Sequence, residues 1–250
     1  MPAPRLGGTP SDQLPGVLAA GATDVTTLFV SFSARQSDGR DADYLEWHSL
    51  DHRPEQHRIR GLRQSLRFVS TPGCRARRVA NEPPYDRVDH VMTYFFTDPG
   101  CLEPFGVLSD ALPEERRPLS LPSIGYGLFE LIGKVATPRA VVGADVLPWR
   151  PALGAFLLVE EGSATPPDPV VVVDGVAGAW NFTGTVSHTP FTIDSRGLLL
   201  TLCFLDDDPL AVADRLREPL AARAKAGDTV PLLAAAFHTI VPYDWGRHLP

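Results

Sequence analysis

The stretch that decides the fold is "DYLEWHSLDHRPEQHRIRGLRQSLRFV", residues 43–69. Tyr44 and Trp47 recur at helical spacing, and Pro54 is expected to lie just past the end of that helix. Gly61 then predicts a turn into a strand whose apolar residues alternate. The candidate N-caps of the helix are Asp41 and Asp43.

The segments around this stretch complete one structural unit. Short segments rich in β-branched and aromatic residues, "TTLFVSFSA" (26–34) and "HVMTYFFTD" (90–98), are predicted to be strands. We expect helical pieces at "FGVLSDALPEERR" (105–117) and "YGLFELIGKVA" (126–136), separated by a proline-containing break, and a fourth strand at "AVVGADVLPW" (140–149). The predicted order is β-α-β-β-α-β.

The second half of the chain repeats this pattern. Its expected elements are strands at 153–161, 173–184 and 198–208, an amphipathic helix at 208–227 and a closing segment at 232–245. Asp208 is the expected cap of the helix and Gly227 its end. The matched positions are Gly61 with Gly175, Leu66 with Trp180, and Phe68 with Phe182. Residues 162–172 are too short and too rich in proline for a helix like that of the first half, so we expect any site in the first half.

Composition indicates an ordinary globular protein. Of the 250 residues 44% are apolar and 21% are charged, with a net charge of −7, which argues against a nucleic-acid or anionic membrane partner. The three cysteines, Cys74, Cys101 and Cys203, make no disulfide framework, so a cytoplasmic location is expected.

The expected organisation has three parts. Residues 1–22 should form a flexible tail without the features of a secretory signal, and no apolar run is long enough to span a membrane. Residues 23–150 should form a first β-α-β-β-α-β unit that carries the site. Residues 151–250 should form a second, degenerate unit of the same kind.

The quoted stretch resembles the dimeric α+β barrel superfamily, particularly its EthD-like members. The resemblance lies in an aromatic residue, Trp47, followed five residues later by His52-x-Pro-Glu, a short spacer, and a glycine entering a strand. Arg60 stands before Gly61 where similar families have proline, and His48 replaces a second aromatic residue. The resemblance implies an α+β fold in which two tandem ferredoxin-like (βαββαβ) units, residues 23–150 and the degenerate 151–250, join their sheets into an intramolecular dimeric α+β barrel.

The resemblance implies a fold more firmly than a reaction. Members of the superfamily include cofactor-free monooxygenases, lactone isomerases, dehydratases, polyketide cyclases and heme enzymes, so the chemistry must be argued from side chains. Ligand pockets in this superfamily commonly lie between the sheet and the helices of one unit.

Three residues are candidates for catalysis. His52 could take or give a proton near neutral pH, although a histidine at a helix end can also cap carbonyl groups. His90 and Tyr94 share one strand face by the two-residue period, and could supply an acid and a hydroxyl that holds a carbonyl oxygen. A solvent-exposed His90 and a purely structural Tyr94 are the competing interpretations. The candidate substrate-binding residues are Tyr44, Trp47, His48 and Met92.

Metal and heme are alternatives to cofactor-free chemistry. His48 and His52 are four residues apart, a spacing that places two imidazoles on one helix face, but there is no HExxH pattern and no metal is expected. The third ligands to consider would be Asp51, Glu55 and His57. A heme would need an axial histidine, for which the candidates are His52, His90 and His238.

The sequence therefore favours an enzyme that works without a cofactor. The expected activity is that of a lyase, dehydratase or isomerase in small-molecule metabolism, acting on a hydrophobic, carbonyl-bearing substrate. The alternatives are a cofactor-free or heme-dependent monooxygenase, and a non-catalytic binding or assembly protein. We expect a monomer that is a pseudo-dimer, or a homodimer.

Overall fold

A computed structural model describes residues 25–111, 120–162, 173–188, 192–227 and 229–250. The strands are β1 (Thr27–Ser33), β2 (Leu62–Val69), β3 (Ala80–Asn81), β4 (His90–Phe96), β5 (Ser123–Ala136), β6 (Gly154–Gly162), β7 (Val176–Gly184), β8 (Val186–Ser187), β9 (Ile193–Asp194), β10 (Leu198–Leu205) and β11 (Thr229–Thr239). The helices are α1 (Asp41–Trp47), a π-helical turn (His48–His52), α2 (Arg53–Gln56), α3 (Pro72–Ala76), α4 (Leu102–Ala111) and α5 (Pro209–Ala226). Short 3₁₀ segments lie at Tyr85–Arg87, Pro99–Cys101, Pro138–Ala140 and Ala144–Trp149.

The strands close into a barrel. The sheet runs β2-β4-β1-β5-β7-β10-β6-β11 with the short β3 at its end, and β2 also pairs with β11. The first unit contributes β5-β1-β4-β2 and the second contributes β11-β6-β10-β7, the same order in each. The α+β fold of two tandem ferredoxin-like units is therefore confirmed.

Alternating side chains fill the barrel and cover its outside. Leu28, Val30 and Phe95 point into the barrel, where they join a cluster that includes Trp180 and Phe237 from the second unit. The outer face of the second unit packs under α5, and that of the first packs under α4 and the helical segment 41–56.

The two units match at equivalent turns. Gly61 and Gly175 have φ values of 90° and 97°, which suit glycine because it lacks a Cβ. Thr97 N donates to Gly61 O at 2.9 Å, and Asp206 N donates to Gly175 O at 3.0 Å. The expected repeat is thus present in backbone hydrogen bonding.

Helix α5 follows its expectation. Asp208 accepts a hydrogen bond from Leu210 N at 3.2 Å, and Gly227 ends the helix in the left-handed region with φ of 82°.

Two predictions in the first unit are wrong. Residues 126–136 belong to β5, not to a helix, because β5 pairs with β1 on one side and β7 on the other and so occupies the fourth strand position. A Cβ on Gly127 would lie 2.4 Å from the Phe129 ring, so glycine is required by close packing in a strand. Residues 140–149 are consequently not a strand, and they include the 3₁₀ segment Ala144–Trp149.

The predicted end of the first helix is also wrong. The chain stays helical to Gln56, since the π-helical turn is followed by α2, in whose first turn Pro54 is tolerated. Arg40, not an aspartate, is the N-cap, and the Asp41 carboxylate instead accepts from Gln36 N at 3.0 Å. The predicted tail 1–22, part of the predicted helix 105–117 and the prolines of 163–172 lie outside the described residues.

Candidate active site

A cavity of about 260 Å³ lies between the helical segment 41–56, α4 and the outer face of the first unit's sheet. This is close to the lower end of the roughly 300–1,000 Å³ typical of small-molecule sites. Its lining residues are Phe29, Ser31, Ser33, Tyr44, Trp47, His48, His52, Gln56, Arg67, Met92, Tyr94, Phe105, Ser109, Ser120, Leu121, Ser123 and Tyr126. Six of the seven predicted site residues are among them.

The π-helical turn arranges the aromatic wall of this cavity. A π-helical turn has more residues per turn than an α-helix, so residues five apart come to one face. Trp47 and His52 accordingly stack, with ring centroids 5.2 Å apart and planes 20° apart. Tyr44 stacks on His48 with centroids 5.6 Å apart. The five-residue spacing noted in the sequence is thus the spacing of this turn.

His52 belongs to a hydrogen-bonded chain that crosses from helix to sheet. Its Nε2 lies 2.9 Å from Gln56 Nε2, and Tyr94 Oη donates to Gln56 Oε1 at 3.1 Å. With the amide placed this way, Gln56 donates to His52 Nε2 and the His52 proton lies on Nδ1. With the amide flipped, the Gln56 oxygen accepts from His52 Nε2–H, and Nδ1 is the basic nitrogen. Burial raises the pKa of Tyr94, so its phenol stays protonated.

His48 is a neutral imidazole in this wall. It is 2% exposed, and burial, together with the positive charge of Arg67, holds its pKa well below the usual 6.5. Its Nδ1 is buried and makes no hydrogen bond within the described residues.

Arg67 brings a buried positive charge to the cavity. Its side chain points to the helix side because Leu66 and Phe68 point to the barrel. Arg67 is 4% exposed, its Nη2 donates to Tyr44 Oη at 3.0 Å, and its guanidinium lies 5.1 Å from the Tyr44 ring centroid. No carboxylate of the described residues pairs with it.

His90 is the one predicted site residue that does not line the cavity. It lies behind Tyr44, fully buried, with its Nε2 2.9 Å from Asp41 Oδ1. Burial lowers the pKa of His90 despite the carboxylate. For Asp41, burial alone would raise the pKa, but the hydrogen bonds from His90 and Gln36 N outweigh it, so the pKa is lowered. The pair is a neutral imidazole donating to a carboxylate.

Sequence reasoning missed two polar residues that organise the site, Gln56 and Arg67. Gln56 was hidden because Pro54 was taken to end the helix. Arg67 could have been predicted from the sequence. It lies between Leu66 and Phe68 in a strand, so its side chain must point to the opposite face, toward the covering helix. A charge at a position that will be buried indicates a function for that charge.

The histidines of the cavity do not form a metal cluster. Among the described residues, no three His, Cys, Asp or Glu side chains lie in position to hold a metal ion. Glu55 pairs with Arg58 at 2.7 Å, and His57 Nε2 lies 2.7 Å from Ser65 Oγ.

Comparison with known proteins supports the fold. No family model matches the chain, and no curated protein matches its sequence. A dye-decolorizing peroxidase from Bacteroides thetaiotaomicron VPI-5482 is similar in structure, with a TM-score of 0.50, 8% identity, and coverage of 88% of this chain and 94% of that one. An anthrone oxidase-like protein gives a TM-score of 0.43 at 10% identity over 89% of this chain and 94% of that one. A dye-decolorizing protein from V. cholerae gives 0.44 at 12% identity, with coverage of 88% and 95%.

At such identities these similarities concern the fold alone, which the strand order shows independently. No helix within the described ranges is long and apolar enough to cross a membrane. By its fold, the chain is a dimeric α+β barrel whose two ferredoxin-like units lie in one polypeptide.

Proposed function

We propose that this protein is an enzyme that carries out acid/base chemistry without a cofactor, as a lyase, dehydratase or isomerase. The substrate is a small, hydrophobic compound with a carbonyl group, bound in the cavity of the first unit, residues 23–150. One observation carries the proposal: the same cavity holds His52, oriented by Gln56, and a tyrosine hydroxyl, that of Tyr44, supported by a buried guanidinium.

His52 acts as the general base through Nδ1, in the arrangement in which the Gln56 amide is turned so that its oxygen accepts a hydrogen bond from His52 Nε2–H. It removes a proton from the carbon next to the carbonyl group, and the electron pair moves onto the carbonyl oxygen to give an enolate. Return of the proton to another carbon completes an isomerisation, while departure of a leaving group completes a lyase or dehydratase reaction. Tyr94 orients His52 through Gln56, because in this arrangement the Gln56 amide nitrogen donates to the Tyr94 hydroxyl oxygen.

Tyr44 and Arg67 stabilise the enolate oxygen. Arg67 donates to the Tyr44 oxygen, which leaves the Tyr44 hydroxyl hydrogen available to the substrate. The positive charge of Arg67 favours the negative charge that develops on that oxygen, and more strongly in a buried site than in water. His90 and Asp41 act as positioning residues behind the Tyr44 ring.

The side chains that the structure describes do not fit a heme. The first cavity, at about 260 Å³, is smaller than the roughly 300–1,000 Å³ typical of small-molecule sites, and so is small for a ligand as large as a porphyrin. A second described cavity, of about 450 Å³, has no histidine in its lining. Absence of a Soret band after addition of hemin to the purified protein is the expected result, whereas a stoichiometric band would favour the heme-dependent alternative.

A non-catalytic protein would not need this arrangement. That alternative predicts solvent-facing His52 and His90 with no cavity under the helix. His90 is fully buried, His52 is partly buried, and the cavity is present.

Proton exchange tests the proposal before the natural substrate is identified. Small cyclic and aromatic ketones would be incubated with the protein in D₂O, and loss of the proton signal next to the carbonyl group followed by NMR. We expect exchange above the buffer rate for compounds that bind, and a loss of about 100-fold or more in His52→Gln.

His57→Gln is the matched control, since His57 contacts Ser65 and does not line the cavity. It should leave exchange unchanged. Exchange that persists in His52→Gln would remove His52 from the mechanism. A wild-type protein that binds ketones but exchanges none of them would refute the proposed chemistry.

A further inference from the structure

The barrel is closed by two seams that differ. At the first seam, residues 129–136 of β5 pair with residues 178–184 of β7. At the second, β2 and β11 pair only at residues 68–69 with 238–239. Since β2 begins at Leu62, most of this edge of β2 has no partner strand among the described residues. The barrel wall therefore has a gap at the second seam.

A second cavity of about 450 Å³ occupies this gap, well inside the roughly 300–1,000 Å³ range of small-molecule sites. Leu66, Phe68 and Phe204 from the barrel interior form its apolar floor. Trp149, near the end of the first unit, and Trp245, near the end of the second, bring two indole rings to its walls.

Two arginines give this cavity an uncompensated positive charge. Arg53 and Arg67 both line it, and neither pairs with a carboxylate in the described part of the chain. Arg67 also lines the first cavity, so it separates the two. Its Nε is buried without a hydrogen-bond partner in the described residues. A buried cation without a counter-ion is costly, and an anionic ligand would remove that cost.

Two hydroxyl groups in the same lining are also unused. Ser49 Oγ and Thr239 Oγ1 are buried and make no hydrogen bond with the described residues. Buried polar atoms normally have hydrogen-bond partners. Three atoms around this cavity have none among the described residues: Ser49 Oγ, Thr239 Oγ1 and Arg67 Nε. Together they indicate a ligand with hydrogen-bond acceptors. Burial, and then the charge of Arg67, lower the pKa of Arg53, which places both guanidinium groups in one electrostatic environment.

We propose that this second cavity binds a small aromatic carboxylate. Its carboxylate is held by Arg53 and Arg67, with Ser49 and Thr239 as further hydrogen-bond partners, and its ring lies among the apolar floor and the indoles. The two unpaired guanidiniums select a carboxylate over a neutral compound of the same shape, because charge-assisted hydrogen bonds are the stronger ones. This site is separate from the acid/base cavity, and the proposal does not depend on the enzyme activity proposed above.

Binding of 2-naphthoate, measured by isothermal titration calorimetry against its neutral analogue 2-naphthamide, tests the proposal. We expect the wild-type protein to bind 2-naphthoate about tenfold or more tightly than 2-naphthamide. Arg53→Gln should weaken 2-naphthoate binding by a similar factor and abolish the preference for the anion. Arg53 is only partly buried, so this variant is expected to fold.

Two filling variants locate the bound ligand. Ala152→Phe fills the second cavity and should prevent binding, whereas Ser109→Phe fills only the first and should leave it unchanged. If Ala152→Phe does not fold, the result for Arg53→Gln decides the matter. Absence of binding to the wild type, binding that survives Arg53→Gln, or binding lost only in Ser109→Phe would each overturn the proposal.

Discussion

Replacement of His48 by phenylalanine should make the protein less sensitive to acid. His48 lies in the π-helical turn and is 2% exposed. It stacks on Tyr44 and contacts His52 at a tilt of 59°, so a phenylalanine ring can take its place among these aromatic rings. Burial and the nearby charges of Arg67, His52 and Arg53 hold its pKa well below 6.5, so the folded protein keeps this imidazole neutral under mildly acidic conditions.

The magnitude follows from proton uptake by the unfolded chain. A histidine with pKa about 6.5 gains nearly a full proton in the unfolded chain between about pH 7.5 and about pH 5.5, while the folded group gains none. Because the unfolded state binds more protons, the free energy of unfolding is highest at pH values above the pKa of the unfolded histidine. It decreases as the pH is lowered below that pKa. One such histidine accounts for a loss of ~1.4 kcal/mol between these two pH values. His48→Phe should remove a loss of this size.

Urea unfolding at the two pH values, followed by tryptophan fluorescence, measures the effect. Trp47→Phe is the matched control, since it changes a ring that contacts His48 edge to face without removing a titratable group. It should lower stability by the same amount at both pH values. If His48→Phe loses as much stability on acidification as the wild type does, then His48 is not held neutral in the folded protein and the electrostatic account of the cavity fails.

Other predictions concern the repeated architecture. Gly61→Ala should destabilise the fold by about 2 kcal/mol or more, because a Cβ there would lie 2.3 Å from Cys101 Sγ at a φ of 90°. Gly39→Ala, with a φ of 75° and open space around the Cβ, should cost only ~1 kcal/mol. Equal losses for the two variants in thermal unfolding would contradict the packing cost expected at Gly61. Asp208→Ala should cost ~1 kcal/mol through loss of the α5 cap, measured by urea unfolding, while Asp208→Asn should retain most of the stability.

Much of the site could be predicted from local sequence. The one-face alternation of His90, Met92 and Tyr94 placed them toward the helices, and the helical spacing of Tyr44 and Trp47 placed these on the covering wall. Local sequence patterns could not predict how deeply each side chain is buried. His90 lies behind the Tyr44 ring because Asp41 begins the helix directly above it, a contact between residues 49 positions apart in the chain.

The errors in the fold have one cause. Residues 126–136 are dotted with glycine and could be helical or extended by local preference, but β1 needs a strand on its free side and β7 needs one at the first seam. Closure of the barrel requires a strand at this position, and this requirement outweighs the local helix propensity of the segment. Pro54 has no backbone N–H, so it ends a helix only where that N–H would have donated a hydrogen bond within the helix. The π-helical turn before Pro54 changes which backbone groups are bonded, and the helix continues through α2.

The sequence by itself determined the two-unit α+β architecture, the helix capped by Asp208, the glycine turns and the aromatic and histidine content of one helical segment. The helix, its cap and the turns follow from periodicity and backbone preference, which act over a few residues, while the joining of the two units into a barrel was implied by the family resemblance. Only the tertiary structure decided that Arg67 is a buried cation shared by two cavities, that Gln56 links His52 to Tyr94, and that the second seam is paired over only two residues of each strand. These features arise from contacts between segments that are distant in the sequence. Burial removes water from these contacts, so each charge or hydrogen-bonding group without a partner raises the free energy of the folded state.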